Sequence, residues 1–376
     1  MPVITILIIA VKVIVAFSAL ILIHELGHFI VAKKSGVWVE EFGLGLPPRI
    51  KGIKIGETLY SINWLPFGGF VKLHGETAED VVVYPDRAFT NKNKLTKIAI
   101  TVAGIVMNFI LAVACFAVVY SITGIETDVI NVQVIEVADN SPAKIAGLIP
   151  DDLVKKLGDQ PITSTQNFQN EISKYKGKKV SIELVRKEDG QTVSKILEIT
   201  PRLAPPEGQG PLGVEIADIP EIYFPPLWQR PFVGAWYGLK QALSVSYAVI
   251  FGLGTAVQSV TQGKAPEHVV GVVGIFALFI QFAKLGILPI LNLIGLVSIN
   301  LAIINIIPFP PLDGSRVVIA IAEGLTRKKM TPSLETKIYT IGMIILLGLM
   351  FLITAREIPQ LIKAGSLSNF VTSLLK

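Results

Sequence analysis

The chain has 376 residues, 51% of them hydrophobic and only 17% charged, with a formal net charge of +5. Soluble globular chains carry about 25% charged residues, so this deficit excludes an ordinary soluble protein and points to a bilayer. A single cysteine, Cys115, excludes disulfides and cysteine zinc sites. The lysines and arginines gather at the ends of apolar runs rather than in a stripe, which excludes nucleic acid as a partner.

The first apolar run, 3–31, exceeds the roughly 20 residues that cross a hydrocarbon core of about 30 Å. It has no basic leader and is stopped by Lys33 and Lys34, so residues 1–34 read as a retained span rather than a cleaved signal peptide. Within it stands LILIHELGHFI, residues 20–30. Four residues apart in a helix, His24 and His28 differ by only about 40° in direction. Two imidazoles on one stripe suit a tetrahedral zinc, and Glu25 beside them suits a proton acceptor for water. The competing reading is an accidental H-E-x-x-H. It weakens at membrane depth, where a His–Glu–His stripe is costly without a partner or a role. Gly27 serves either close helix approach or room for a neighbouring backbone.

Residues 35–97 are rich in glycine and short β-type runs. IKGIKIGETLYSINWLPFGGFVKL, 50–73, alternates with period two between Gly and Pro breaks, as hairpins do. It is either a small cytosolic hairpin domain or a sheet dipping into the membrane beside the histidine helix. Trp64, Phe67 and Phe70 suit the interface in the second case. Residues 98–122 form a second span, in which Asn108 reads as a bridge between helices. His74 and His268 read as surface or packing histidines, and Lys12 as a residue that snorkels outward.

Residues 127–217 read as a compact α/β module. INVQVIEVA is a strand, SPAKIAGLIPDDL a capped short helix and turn, TQNFQNEISKY a helix, and 178–200 a hairpin about Asp189–Gly190. SPAKIAGL and the residues after it resemble bacterial PDZ domains of the permuted kind found in membrane proteases, with Asp151 where a glycine is usual. GPLGVEI, 210–216, matches the strand and carboxylate-cradling loop of such a module, whose ligand would be a C-terminal peptide. Residues 218–285 come next as linker and interfacial helices, with 236–263 lying on the outer face and 269–283 too short to span.

The third span, 286–311, ends in NLAIINIIPFPPLDGSR, 300–316. Pro308, Pro310 and Pro311 break a helix at membrane depth, which is tolerated only where backbone lines a cavity or is buried in protein. Asp313 is the acidic residue available there as a third zinc ligand, against the plainer reading of a helix-end aspartate in a turn. Asn305, about two turns inward, either holds a substrate carbonyl or joins two helices. A cytosolic loop (312–337), a fourth span (338–355) and a tail (356–376) complete the chain. The Lys/Arg bias places 34–97 and 312–337 in the cytosol and 121–285 outside.

HELGH, FGLG, LPFGGFVKL, one PDZ-type module and N-x-x-P-x-P-x-L-D-G occur in that order. Together they resemble the site-2 protease family of intramembrane zinc metalloproteases, in its bacterial regulator-of-sigma branch with one PDZ domain. The resemblance runs from about residue 15 to 355. It implies a polytopic α-helical protein of the bacterial inner membrane, with about four transmembrane helices, a membrane-associated β-hairpin region and one extracytoplasmic PDZ domain. It implies Zn2+ bound near the cytosolic side by His24, His28 and Asp313, Glu25 as acid and base, and Asn305 as a substrate-binding residue. The substrates implied are single-pass membrane proteins such as trimmed anti-sigma factors or remnant signal peptides. AGIVMN (103–108) and VGVVGI (270–275) each lack a proline usual in the family.

Two other classes compete: a metal-ion transporter, which leaves the PDZ-type module unexplained, and a membrane scaffold, which leaves Glu25 unexplained. Cleavage of a helix also requires that it be extended, and its freed backbone groups then need partners. An exposed strand edge supplies them. LPFGGFVKL is the candidate edge, with Gly68 and Gly69 for close backbone approach and Phe70 as an anchor.

Overall fold

The computed structural model describes residues 3–76, 80–188, 191–263, 270–326 and 330–374. The chain divides into two compact units, Met1–Ile122 with Leu227–Lys376, and Thr123–Pro226. The Asp189–Gly190 turn and His268 lie outside the described residues.

The larger unit contains α1 (Val3–Lys34), the antiparallel strands β1 (Val39–Ile55) and β2 (Thr58–Leu73), and α2 (Lys94–Thr123). The smaller unit runs from β3 (Ile125–Val137) through α3 (Pro142–Ala146), β4 (Leu153–Leu157), β5 (Gln160–Pro161), α4 (Thr165–Lys174), β6 (Val180–Glu188) and β7 (Gln191–Ile199) to β8 (Val214–Tyr223). The chain then returns to the larger unit with α5 (Arg230–Thr261), α6 (Val272–Leu285), α7 (Ile287–Ile306), α8 (Asp313–Thr326), α9 (Pro332–Ala364) and α10 (Leu367–Leu374).

Among the described residues, five helices are long and apolar enough to cross a membrane: Leu7–Lys34, Lys94–Thr123, Arg230–Ser259, Ile287–Ile306 and Ser333–Ala364. Four of them match the spans read from the sequence. The additional one, within α5, packs along α2, where Gly234 and Gly238 meet the Ala117 backbone and leave no room for a Cβ. The 14 residues of α6 are too few to span. Its two ends are met by charged side chains. Glu357 of α9 accepts the N–H groups of Gly271 (2.7 Å) and Gly274 (3.2 Å) at the start, and Lys12 Nζ approaches the Ala283 carbonyl at 3.5 Å near the end. This meets some of the orphan groups at the two ends of the helix, and it holds Lys12 within the unit rather than reaching outward. The 312–337 segment contains a helix, α8, where a loop was expected, and the tail folds back as α10, burying Phe370 and Val371 against Ala277 of α6.

One stripe of α1 organises the packing. Ile9, Val13, Ala16 and Leu20 recur at helical spacing and are buried against Cys115 of α2, Phe279 of α6, and Leu293 and Ile294 of α7. The next steps on the same stripe are His24 and His28, so the periodicity that forms the core carries both imidazoles into it. Gly36, with φ +67°, ends the helix: the N–H of Val37 bonds to the Ala32 carbonyl at 3.0 Å, a left-handed cap.

β1 and β2 are bent strands that pair twice. Leu44 faces both Gly69 and Ile62, and Ile53 faces Tyr60. The sheet therefore runs 69–73, 39–44, 58–62, 51–55, and segment 69–73 is an edge, lying beside α1 where Gly68 meets Ile21 and Gly69 meets Leu22. His74 closes this region as a packing residue. Buried at 1% exposure, it pairs through Nδ1 with Glu40 (2.8 Å) and accepts the Tyr84 N–H on Nε2 (3.1 Å).

The smaller unit is a sheet in the order β7-β6-β4-β3-β8, with β5 on β4. Its core comprises Val132, Val134, Leu157, Phe168, Ile182 and Leu184. Ser141 and Ser164 cap α3 and α4 as their side-chain oxygens accept Lys144 and Asn167 N–H groups. Asp151 takes φ +73°, the left-handed conformation that aspartate tolerates better than most residues, so the turn survives without glycine. Beside it, fully buried Asp152 receives both Nε and Nη2 of Arg186 at 2.7 Å, a bidentate pair that raises the guanidinium pKa further.

Candidate active site

His24 and His28 are 9% and 7% exposed, and their Nε2 atoms stand 3.1 Å apart. Asp313, the first residue of α8, places Oδ2 3.0 Å from His24 Nε2 and 3.4 Å from His28 Nε2. Among the described residues this is the one group of His, Cys, Asp or Glu whose ligand atoms converge, all within 4.8 Å.

The turn before α8 explains how Asp313 arrives. α7 stops at Ile306, because Pro308, Pro310 and Pro311 cannot donate to its ladder. The chain reverses through short bonds, Phe309 N–H to Ile307 O (2.7 Å) and Leu312 N–H to Phe309 O (2.8 Å). Gly314 lets α8 begin directly against the Ile306 and Ile307 carbonyls, where any Cβ would collide.

A metal fits this arrangement. Asp313 Oδ2 is buried, faces two imidazole nitrogens and receives no hydrogen bond. A tetrahedral zinc with ligands at roughly 2.0–2.1 Å keeps its donor atoms roughly 3.3–3.4 Å apart, close to the 3.0–3.4 Å triangle found here. The donor set, two imidazoles and one carboxylate, is that of a catalytic zinc with an open fourth position.

The far sides of both rings rest on α2. His28 Nδ1 donates to the Ile100 carbonyl at 2.8 Å, and His24 Nδ1 lies 3.3 Å from the Asn108 amide. An imidazole that offers Nε2 to a metal carries its proton on Nδ1. In the structure Asn108 Nδ2 faces it and Oδ1 is buried without a partner, so turning the amide end for end would let Oδ1 accept that proton. Such outer partners fix the ring orientation of metal-binding histidines. Asn108 does join two helices, and the partner it reaches is a histidine of the site. Gly104, one turn before it, faces the rings, and a Cβ there would stand 2.7 Å from Cε1 of both histidines. Gly27 is explained by packing, since its Cβ would lie 2.6 Å from the Ala103 carbonyl carbon.

Glu25 lines the same cavity of about 210 Å³, together with Phe70, Val71, Thr101, Pro311 and Arg316. One of its oxygens accepts the Val71 N–H at 3.1 Å. The sheet edge 69–73 is therefore in direct contact with the carboxylate next to the histidines. His24, Glu25, His28, Asp313 and Phe70 thus come together, with Gly68 and Gly69 on the adjoining strand. Asn305 does not join them: half-buried one residue before the end of α7, it is not among the residues lining the cavity. The Phe67 side chain lies outside what the structure describes. Sequence reading missed Gly104, Glu76 and Arg316. The signal for the first was available, because Gly104 and Asn108 share a helix face at a spacing of four.

The profile of a family described as Peptidase family M50 matches residues 12–349. A protein of Clostridium perfringens, whose name marks it provisionally as a zinc metalloprotease, is 34% identical over 347 residues, covering 91% of this chain and 96% of its own length. A similarly named protein of Clostridium acetobutylicum is 32% identical over 348 residues, covering 92% and 96%. Zinc metalloprotease RasP of Oceanobacillus iheyensis is 24% identical over 430 aligned residues, covering 93% and 98%.

Gly104→Ala should displace both rings and weaken metal affinity by roughly 10–100-fold or more, the range for lost outer-shell support. Competition with a zinc chelator, read by elemental analysis, checks this. A variant that holds zinc as tightly as the wild type contradicts the packing described.

Proposed function

The chain belongs to peptidase family M50, the site-2 protease family of zinc metalloproteases, and on that premise we propose that His24, His28 and Asp313 hold the zinc and Glu25 moves the protons of peptide hydrolysis. The family acts on membrane proteins within the bilayer, and this chain is an integral membrane protein of that kind. The observation that carries the assignment is the convergence of three ligand atoms on a cavity that also contains Glu25. When bound, zinc acts as a Lewis acid that polarises a carbonyl and lowers the pKa of water toward about 7. Glu25 accepts the proton of the attacking water and delivers it to the leaving amine. Asn108 and the Ile100 carbonyl orient the histidines, and the surrounding helices exclude bulk water.

The substrate we propose is the transmembrane segment of a single-pass protein, such as a trimmed anti-sigma factor or a remnant signal peptide. Segment 69–73 receives it as an added strand. The Val71 N–H, held by Glu25 in the absence of substrate, is a donor that an extended segment would take. Gly68 takes a positive φ at the start of that edge, Gly69 sits against the Gly43 carbonyl where a Cβ would be tight, and Phe70 supplies an apolar contact. Asn305 is assigned a substrate contact on the family resemblance alone.

For the smaller unit we propose a PDZ module spanning 127–217, as in the regulator-of-sigma branch. β8 is an edge strand, and a groove of about 370 Å³ between it and α4 is lined by Phe168, Ile172, Leu212, Val214 and Ile216. Such a groove suits a C-terminal peptide, and the module's role is to filter substrates by bulk or by a freshly exposed C-terminus. The distribution of Lys and Arg supports an extracytoplasmic module and a zinc site near the cytosolic side, and residence in the bacterial inner membrane is proposed on the family resemblance.

Glu25→Gln should retain zinc and fold but lose cleavage by roughly 10²–10⁴-fold, the usual contribution of general acid–base catalysis. Asp313→Ala should lose zinc itself. Near-normal turnover in the first variant, or full tight zinc in the second, would remove that residue from its role. Gly69→Pro stiffens the edge and removes a donor. It should lower cleavage at unchanged zinc content, and lower it less for substrates with Gly or Pro beside the scissile bond. Equal cleavage of stable and unstable helices by this variant would rule out strand addition.

A further inference from the structure

Arg316 stands one turn beyond Asp313 on α8, and its Nη1 pairs with Glu76 Oε1 at 2.7 Å. The other oxygen of Glu76 accepts the backbone N–H of Leu73 at 3.3 Å. Both side chains line the metal cavity. Leu73 lies two residues beyond Val71 on the same strand edge, so its N–H is the next donor along the line that begins at Glu25. The two donors are held differently. Val71 is met by one oxygen of Glu25, the group that the proposed chemistry assigns to the attacking water. Leu73 is met by a carboxylate that the guanidinium of α8 holds in place, and nothing in the proposed chemistry asks it to leave.

We propose that Glu76, fixed by Arg316, is a register stop for the substrate strand. An incoming segment pairs along the edge as far as Val71 and is denied the Leu73 donor, and this determines which of its peptide bonds faces the metal. Because α8 also carries Asp313, one helix places both the third ligand and the stop, and the distance between cutting point and strand end is built into a single turn. A strand that slips by one residue turns every side chain to the other face, whereas a slip of two preserves its faces. The slip that the stop must prevent is therefore one of two residues. Glu76 and Arg316 are positioning residues, and neither needs to touch the reacting atoms. The inference rests on the proposal that segment 69–73 docks the substrate.

The test uses the full-length chain in proteoliposomes with a synthetic single-pass transmembrane peptide that the wild type cuts at one defined bond. Products are identified by mass spectrometry and zinc by elemental analysis. Glu76→Ala should retain zinc and yield a second product cut two residues away, reaching at least roughly a tenth of the total once a charge-assisted hydrogen bond no longer separates the two registers. Arg316→Gln, which leaves Glu76 in place but unheld, should give the same second product in smaller share, and Glu76→Gln, which still offers Leu73 an acceptor, should suppress it. A single unchanged cut site at any rate in Glu76→Ala and Arg316→Gln, a shift of one residue, or loss of zinc in both overturns the proposal. Glu25→Gln and Gly69→Pro in the same assay separate the levels. If Glu25→Gln still cleaves, the catalytic assignment falls. If Gly69→Pro cleaves stable and unstable helices equally, strand docking falls and the stop with it, whereas a Gly69→Pro-sensitive cut that never moves in Glu76→Ala and Arg316→Gln defeats the register stop alone.

Discussion

Two imidazoles and two carboxylates placed among apolar helices must be given partners, because leaving them unpaired at membrane depth costs several kcal/mol each, about the whole net stability of a small domain. Much of the larger unit follows from meeting that cost at one point. The stripe that buries Ile9, Val13, Ala16 and Leu20 continues into His24 and His28, so the core and the site share one helix face. Glycines then bring other backbones close enough to matter: Gly27 and Gly104 where α1 meets α2, and Gly314 where α8 turns back on the end of α7. The three prolines before Asp313 end α7 where an aspartate can be presented, and Pro311 of the resulting irregular segment lines the cavity beside the histidines.

The same accounting applies to the strand edge. A sheet edge normally needs covering or charge to stop unwanted pairing. Here two outward N–H groups are met by carboxylates, Glu25 at Val71 and Glu76 at Leu73. Two of its outward donors are thereby met, and one of the two carboxylates is the proposed general base. The proposed docking strand and the proposed general base therefore share one hydrogen bond.

Much of the fold was legible because its signals are local. Long apolar runs mark four of the five candidate spans, and period-two alternation marks the bent hairpin. The smaller unit emerged from caps and turns: Ser141 and Ser164 before α3 and α4, and strands separated by glycine-rich breaks. The histidine pair was legible because sharing one ion requires one helix face, and Asp313 because three prolines in an apolar segment need a reason. What escaped depends on tertiary proximity. The Ile100 carbonyl lies 72 residues from His28 in sequence, and Arg316 lies 240 residues from Glu76. No composition or spacing rule joins such pairs. The α5 segment was read as interfacial for a different reason. Its mixture of Gly, Ser, Gln and apolar residues suits an interfacial helix as well as a span, and only its unbroken 32 residues and its packing on α2 set it apart.

The central claim is that one zinc ion is held by two imidazoles and one carboxylate at the meeting point of α1 and α8. X-ray absorption at the zinc edge of the full-length protein tests it most directly, since it counts ligand types without reference to activity. The expected spectrum has two imidazole signatures with all near neighbours nitrogen or oxygen at roughly 2.0–2.2 Å, and loses one imidazole in His28→Ala. A sulfur neighbour at roughly 2.3 Å, a third imidazole, or a spectrum unchanged by His28→Ala would contradict it.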